Sequence, residues 1–395
     1  MNTTPIPRSS WRICFVTTLY VTLDTFVRQQ AETLVKAGWE VTWVSAPRTG
    51  NQPAPPAGVR HVPLPIVRGS SALGTIRGFL ALFRLFRRER FDLVQYSTPN
   101  AAFCASLAAR LAGQPRRLYA QWGLRYVGFS GLTRSFFKAV ERFVCACSTL
   151  VQPDSASNLA FAIDEGLYPP SKGRVIGHGS ACGVNLGRFD ADQRESWRAV
   201  HRQEAGLDEG HVVIGFVGAV CRDKGCNELL FAAQQLLSDH PEARLMLVGP
   251  CDFLKTLDPA LLAWAQASNQ VIWVPPTRWV PEYLACMDVF AFPSYREGFG
   301  MAVVEAEAMG LPVVVTDIPG PLDAMVDGIT GLVVPVKDGP ALASALRRLL
   351  VDPSLRARLG AGGRELVAKR FEQTWFMEQV RADKARMVQE GALHA

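Results

Sequence analysis

The chain has 395 residues, with 42 Lys and Arg against 36 Asp and Glu, 48% hydrophobic residues and 9 Cys. At roughly 100 to 200 residues per domain this length predicts two or three compact domains, and the composition excludes disordered and fibrous classes. The formal net charge of +6 suits anionic small molecules or anionic lipid as well as nucleic acid, and does not choose among them.

Nine cysteines without a CxxC pair or metal-ligand spacing argue against structural zinc and against a secreted disulfide scaffold, which predicts a reducing cytosol. The apolar stretch 13–23 is a poor signal-peptide core because Thr17, Thr18, Tyr20 and Thr22 interrupt it. No window reaches about 18 uninterrupted apolar residues, so no bilayer span is expected.

Residues 12–17 predict a buried strand, 24–37 a helix closed by Gly38, and 40–45 a second strand, which together make a βαβ unit. The alternation continues with a strand at 59–63, a helix at 74–90, a strand at 91–97, a helix at 101–112 and a strand at 117–121. A helix at 133–145, a strand at 149–153, a helix at 155–165 and a strand at 174–176 complete the series. Strands alternating with helices imply a mainly parallel sheet covered on both faces.

Over 185–203 the apolar pattern stops and charge rises, which predicts a linker. A second series follows: a strand at 212–217, a helix at 227–237, strands at 244–248, 271–274 and 289–292, a helix at 301–309 and a strand at 313–316. Three helical stretches close the chain, two of them at 339–351 and 353–367. The fold class is therefore α/β, with two doubly wound, Rossmann-like domains at 1–185 and 209–372, a linker at 186–208, and a last helix at 373–395 packing back towards the first domain. Such folds bind ligands beyond the carboxyl ends of their strands, so the active site is expected in an interdomain cleft.

The most informative segment is 289–316, VFAFPSYREGFGMAVVEAEAMGLPVVVT. An apolar strand leads into a polar loop, 294–297, and Gly298-Phe299-Gly300 opens a helix. Glycines admit a ligand to bare backbone, and the free N–H groups of a first helical turn favour anionic oxygens. Helical spacing puts Glu305 beside Met301 and Ala308, with Glu307 nearly opposite. A carboxylate on an apolar stripe is costly unless paired, and a ribose diol offers two donors. The competing reading is a plain helix cap with Glu305 at the surface.

The second segment is 214–225, IGFVGAVCRDKG. A strand ends in Gly218, and Arg222 and Lys224 share the loop before Gly225 and a helix, an arrangement suited to clamping a diphosphate. A solvated basic turn around Asp223 is the competing reading. Neither segment matches GxGxxG or GxxxxGK[ST], which removes the usual support for a dehydrogenase or an ATPase.

EGFGMAVVE before AMGLPVVVTDIPG, with its pair Glu297 and Glu305, resembles the E-x7-E element of the family 4 retaining glycosyltransferases of the GT-B fold. GAVCRDKG is similar to that family's Gly-rich loop, and GHGSACGVNLGRF to its interdomain segment, with Asn185 at the usual Asp. The nearest likeness is to transferases of capsule, exopolysaccharide and O-antigen assembly. The resemblance implies a nucleotide diphosphate sugar, most often a UDP-sugar, as co-substrate. It implies transfer with retention, to a glycan or polyprenyl-diphosphate-linked acceptor, with no metal and no other cofactor. On that carry-over Arg222 and Lys224 hold the diphosphate and stabilise leaving-group charge. Glu297 then binds a donor-sugar hydroxyl, Glu305 the ribose, and Gly218 with the backbone of Gly298, Phe299, Gly300 and Met301 the phosphate and sugar.

The sequence departs from the family at Trp122, where the first domain usually carries a His, and Trp cannot exchange a proton. Trp122, Arg125 and Tyr20 are the acceptor-side candidates. The alternatives are a transferase or phosphorylase acting on a soluble acceptor, or a nucleotide-sugar-binding protein without turnover.

Residues 74–90, GTIRGFLALFRLFRRER, carry Phe79, Leu82, Phe83 and Phe86 near one face beside five arginines. Residues 135–143 repeat the theme. Apolar and basic faces together suit peripheral contact with an anionic inner leaflet, although any helix covering a sheet is amphipathic. The expectation is a cytoplasmic protein with peripheral membrane contact and no nucleic-acid partner.

Overall fold

A computed structural model of the chain describes residues 10–50, 52–69 and 71–390. The chain folds as two units. The first takes in the chain up to Asp154, Asn158–Gly177 and Thr374 onward; the second takes in Ser155–Ser157 and His178–Gln373.

The first unit carries β1 (Arg12–Val16), α1 (Tyr20–Phe26), α2 (Arg28–Lys36), β2 (Glu40–Ser45), β3 (Val59–Pro63), α3 (Ala72–Arg88), β4 (Leu93–Tyr96), α4 (Pro99–Leu111), β5 (Arg117–Gln121), α5 (Gly131–Cys147), β6 (Leu150–Pro153) and α6 (Ala156–Asp164). The second carries α7 (Arg194–Glu204), β7 (Val212–Val217), α8 (Cys226–Asp239), β8 (Ala243–Val248), α9 (Pro259–Ala267), β9 (Val271–Val274), α10 (Val280–Cys286), β10 (Val289–Phe292) and α11 (Met301–Ala308). It continues through β11 (Val313–Thr316), α12 (Pro321–Ala324), β12 (Gly331–Val334), α13 (Gly339–Val351) and α14 (Pro353–Arg370). The last helix, α15 (Gln373–Glu390), returns to the first unit.

Both sheets are parallel, in the orders β3-β2-β1-β4-β5-β6 and β12-β11-β10-β7-β8-β9. Counted from its own first strand, each runs 3-2-1-4-5-6, the doubly wound order, whose direction reverses between the first and fourth strands. Strands such as VFAF and VVVT are buried on both faces, because helices cover both sides of a parallel sheet. The first sheet separates two apolar clusters, one around Phe86, Val94 and Tyr119, the other around Phe15, Leu34 and Trp43. A single large cluster fills the second unit.

The predicted helix 24–37 is two helices that meet at Val27, and residues 174–176 form no strand, only a Val151–Gly173 bridge standing beside them. The larger correction concerns 186–208. Instead of a linker, α7 belongs to the second unit and lays Arg194, Arg198 and Arg202 on one face at four-residue spacing. Arg198 and Arg202 each reach Asp288 at 2.7 Å, and the three guanidinium groups take up the carbonyls of residues 285–287 at the end of α10. Helix-end carbonyls lack intrahelical partners and attract cations, so these arginines are structural. The charge rise that looked like solvated linker is a largely sheltered ion-pair network, with Arg202 buried and Arg194, Arg198 and Asp288 partly so.

The expected last helix is held to the first unit by Asp383, which bonds Gln152 at 3.0 Å and Arg174 at 2.8 Å, and by the Met387 carbonyl, which accepts from Arg116 at 2.6 Å. Residues 391–395 of that expected helix, and 1–9 of the expected first domain, lie outside the described residues.

Candidate active site

In the second unit the strand order reverses between β7 and β10, and the two segments singled out by sequence are the loops that leave those strands. Gly225 adopts φ +68° ahead of α8, and a Cβ there would lie 1.9 Å from the Pro293 carbonyl oxygen, so only glycine lets the loops close. Similarly, a Cβ on Gly249 would lie 2.1 Å from the Gly218 carbonyl oxygen, which brings the turn after β8 against the turn after β7.

Polar contacts then fasten the loops. The Tyr295 N–H donates to the Asp223 carbonyl at 2.9 Å, and Arg296 pairs with the Asp223 carboxylate at 2.7 Å. Lys224 is ion-paired with Glu297, and the buried Ser294 hydroxyl donates to the same carboxylate oxygen at 2.6 Å. The Lys224 ammonium also lies 5.4 Å from the centre of the Phe292 ring. Arg222, in the same short turn, presents an exposed side chain while its N–H donates to Thr256 Oγ1 at 3.1 Å. The Tyr295 hydroxyl donates to Glu228 at 2.7 Å, and burial together with that carboxylate raises its pKa.

Gly300, at φ +95°, starts α11, and among the described residues no side chain caps the first turn of that helix. Its N–H groups are oriented for an anion, as expected for an uncapped N-terminus. Met301 Sδ takes the Ser180 hydroxyl at 3.2 Å, and that hydroxyl also accepts from the Gly183 N–H at 2.8 Å. The small-residue turn 179–184 is thereby set against the start of α11. The Phe299 side chain is core, packed edge-on against Phe371, so only its backbone is left for a ligand.

Glu305 is half-buried, and burial lifts its pKa to about 7 against the pull of the Arg188 guanidinium. Arg188 is oriented by the Arg278 carbonyl at 3.2 Å and by the Phe189 ring. Glu307, expected to point nearly away from the apolar stripe, is the more deeply buried acid at 0% exposure, with the Thr330 hydroxyl beside it.

The structure therefore brings Gly218, Arg222, Lys224, Glu297, Gly298, Phe299, Gly300, Met301 and Glu305 to neighbouring loops and one helix start. Sequence reasoning missed Ser294, Tyr295, Gly249 and Arg188. Ser294 carried a signal, because a buried hydroxyl three residues before a loop glutamate is a local hydrogen-bonding pattern.

The acceptor-side candidates belong to the first unit. Tyr20 is corrected: it is 2% exposed, its hydroxyl donates to the Pro53 carbonyl at 2.8 Å, and its ring packs on Trp43 and His61. Trp122 is half-buried with its ring 5.4 Å from Phe26, and Arg125 is exposed, stacked 4.6 Å from the Phe137 ring centre. At the strand-order reversal of this unit, between β1 and β4, Thr98 Oγ1 meets the Thr18 N–H at 3.0 Å and the Thr18 hydroxyl at 2.8 Å. Thr98 adopts φ +64°, which is uncommon for a β-branched residue.

The helix 72–88 also differs from expectation. Leu82 and Phe86 are fully buried, and Phe79 and Phe83 pack against the same core, so the face expected at a membrane covers the sheet instead.

Comparison with known proteins agrees with this fold. The family model for glycosyl transferases group 1 matches residues 198–366, and that for a glycosyl transferase 4-like domain matches 22–179. The capsular polysaccharide biosynthesis glycosyltransferase CapM of Staphylococcus aureus is 28% identical over 82% of this chain and 83% of its own. An Escherichia coli UDP-Gal:alpha-D-GlcNAc-diphosphoundecaprenol alpha-1,3-galactosyltransferase is 24% identical over 73% and 74%. Anabaena HepE, solved in complex with UDP-glucose, superposes with a TM-score of 0.76 at 17% identity, over 95% of this chain and 99% of that one. With two matched regions spanning most of its length and two doubly wound units, the chain belongs to the family 4 glycosyltransferases of the GT-B fold.

Proposed function

We propose that this glycosyltransferase acts in cell-surface polysaccharide synthesis. In this reading it moves a sugar, with retention, from a nucleotide diphosphate sugar to a polyprenyl-diphosphate-linked or glycan acceptor. The observation that carries the reading is the Lys224–Glu297 ion pair, because it fastens a cation-bearing turn to the loop that opens an uncapped helix. Two cations and bare N–H groups suit a diphosphate. As the glycosidic bond breaks, negative charge grows on the leaving phosphate oxygen, and in this reading Arg222 and Lys224 would stabilise it, with no metal ion required. Glu305 would accept from the ribose hydroxyls and Glu297 from the donor sugar.

The choice of UDP and of a lipid-linked acceptor is supported by the galactosyltransferase of E. coli and by the UDP-glucose complex of the Anabaena protein. A nucleotide-sugar donor and nine free cysteines fit the cytoplasmic side of a membrane. No helix among the described residues is long and apolar enough to cross one.

Titration calorimetry with UDP, coupled to a donor-hydrolysis assay over a panel of nucleotide sugars, tests the reading. Glu305→Ala and Arg222→Ala should each weaken UDP binding at least tenfold, with the thermal transition retained. Wild-type affinity in both variants would remove the site assignment. UDP binding without hydrolysis of any donor or transfer to any acceptor would favour the reading without turnover, and release of sugar phosphate the phosphorylase.

A further inference from the structure

Loops that leave β7, β10 and β12 in the second unit converge on one side chain, Tyr295. Its N–H donates to the Asp223 carbonyl inside the short turn 222–224, and its hydroxyl donates at 2.7 Å to Glu228, in the first turn of α8. The Arg222 guanidinium lies beside the same hydroxyl. From the loop after β12 the Lys337 ammonium comes to 5.1 Å from the centre of the Tyr295 ring. Lys337 adopts φ +63°, a left-handed backbone uncommon outside glycine. Strained non-glycine residues concentrate where a ligand is gripped.

These contacts divide the work of one phenol. A tyrosine hydroxyl has a single proton to donate and an oxygen that also accepts. Glu228 takes the proton, which leaves the oxygen for the neighbouring guanidinium. An acid in a first helical turn already complements the helix dipole, so Glu228 has no need of the tyrosine on that account. Burial and the Glu228 carboxylate both raise the Tyr295 pKa, which keeps the phenol neutral. A neutral phenol orients a guanidinium without forming an ion pair with it. Arg222 has an exposed, rotamer-rich side chain, and fixing it in advance removes part of the ordering cost from ligand binding.

We infer that Tyr295 is a positioning residue of the donor site: it accepts from Arg222 while donating to Glu228, and so holds the guanidinium towards the terminal phosphate of a nucleoside diphosphate. This rests on the donor reading proposed above and adds to it how the exposed arm of the clamp is oriented. A tyrosine that only braced the loops would support every ligand of the site alike. A positioning tyrosine acts through Arg222, and only on ligands that carry the phosphate Arg222 meets.

Titration calorimetry of the full chain with UDP and with UMP, on the unaltered protein, Tyr295→Phe, Arg222→Ala and the double variant, tests the inference. Phenylalanine keeps the ring that Lys337 meets and removes only the hydroxyl, and the thermal transition reports that the fold is retained. Tyr295→Phe should weaken UDP binding about fivefold and UMP binding less than about twofold. In the Arg222→Ala background it should cost nothing further, because the two residues act as one unit. With Arg222→Ala weak for UDP, any of three results would overturn the inference alone: unchanged UDP affinity in Tyr295→Phe, equal losses for UDP and UMP, or losses that multiply in the double variant. Unchanged UDP affinity in Arg222→Ala would instead remove the donor-site reading, and the role of Tyr295 with it.

Discussion

Lys224 and Glu297 are 73 residues apart in sequence and share an ion pair that also takes the Ser294 hydroxyl. The pair joins the loops leaving β7 and β10, the two strands flanking the reversal of strand order. On the proposed reading, Lys224→Met should therefore do two things: remove a cation from the diphosphate and loosen Glu297, which keeps its bond from Ser294. Donor turnover should fall about a hundredfold. Glu297→Gln should also reduce it, and the double variant should lose less than the product of the two, because residues in contact are not additive. Steady-state rates of the four proteins check this; strict multiplicativity would separate the roles of the two residues.

Glu305 gives a pH signature. Its folded-state pKa, near 7, lies above the ordinary carboxyl range, so the folded protein retains a proton that the unfolded chain gives up. Its contribution to stability is full below the unfolded value and is lost as pH rises through 7. Binding should run the opposite way, because ribose hydroxyls donate and prefer the ionised acceptor. UDP affinity should rise about tenfold between pH 6 and pH 8, and Glu305→Gln should remove that limb. Calorimetry across this range, on both proteins, is the measurement.

Glu307 carries a second signature, in stability alone. Burial raises its pKa well above the ordinary value, and the nearby Thr330 hydroxyl only partly opposes this. Above the unfolded carboxyl range, stability should fall by about 1.4 kcal/mol per pH unit from this group until it ionises. Glu307→Gln should abolish that slope while leaving UDP binding in place. Urea midpoints at several pH values would show parallel slopes for the two proteins if the carboxyl were already ionised.

The α7 arginines make Asp288 a structural keystone. Asp288→Ala should destabilise the chain by about 3 kcal/mol, since it strands Arg198 and Arg202 against carbonyls in a largely buried place. A loss below about 1 kcal/mol in chemical unfolding would mean that water replaces the carboxylate. Val213 shares the effect, because its N–H donates to Asp288 at 2.8 Å.

The second-unit strands at 212–217, 271–274, 289–292 and 313–316 were legible residue for residue. Strands buried on both faces must be continuous apolar runs, a pattern written in local sequence. The two glycine-bearing loops were legible for a related reason, since a backbone approached closely by something else tolerates no side chain. Other features depended on partners that are distant in sequence. Nothing within 186–208 distinguishes a solvated charge run from α7, whose arginines are held by Asp288 and the end of α10. The amphipathic pattern of 74–90 fixed an apolar face but not what it covers, and the sheet took Leu82 and Phe86, leaving Leu73 and Ile76 outside. Tyr20 looked available until Pro53 accepted its hydroxyl. Chain-local chemistry thus determined the strands, the glycine turns and the family, because period and backbone strain act over a few residues. Burial and charge pairing were decided only by tertiary structure, because each depends on which distant segment arrives alongside.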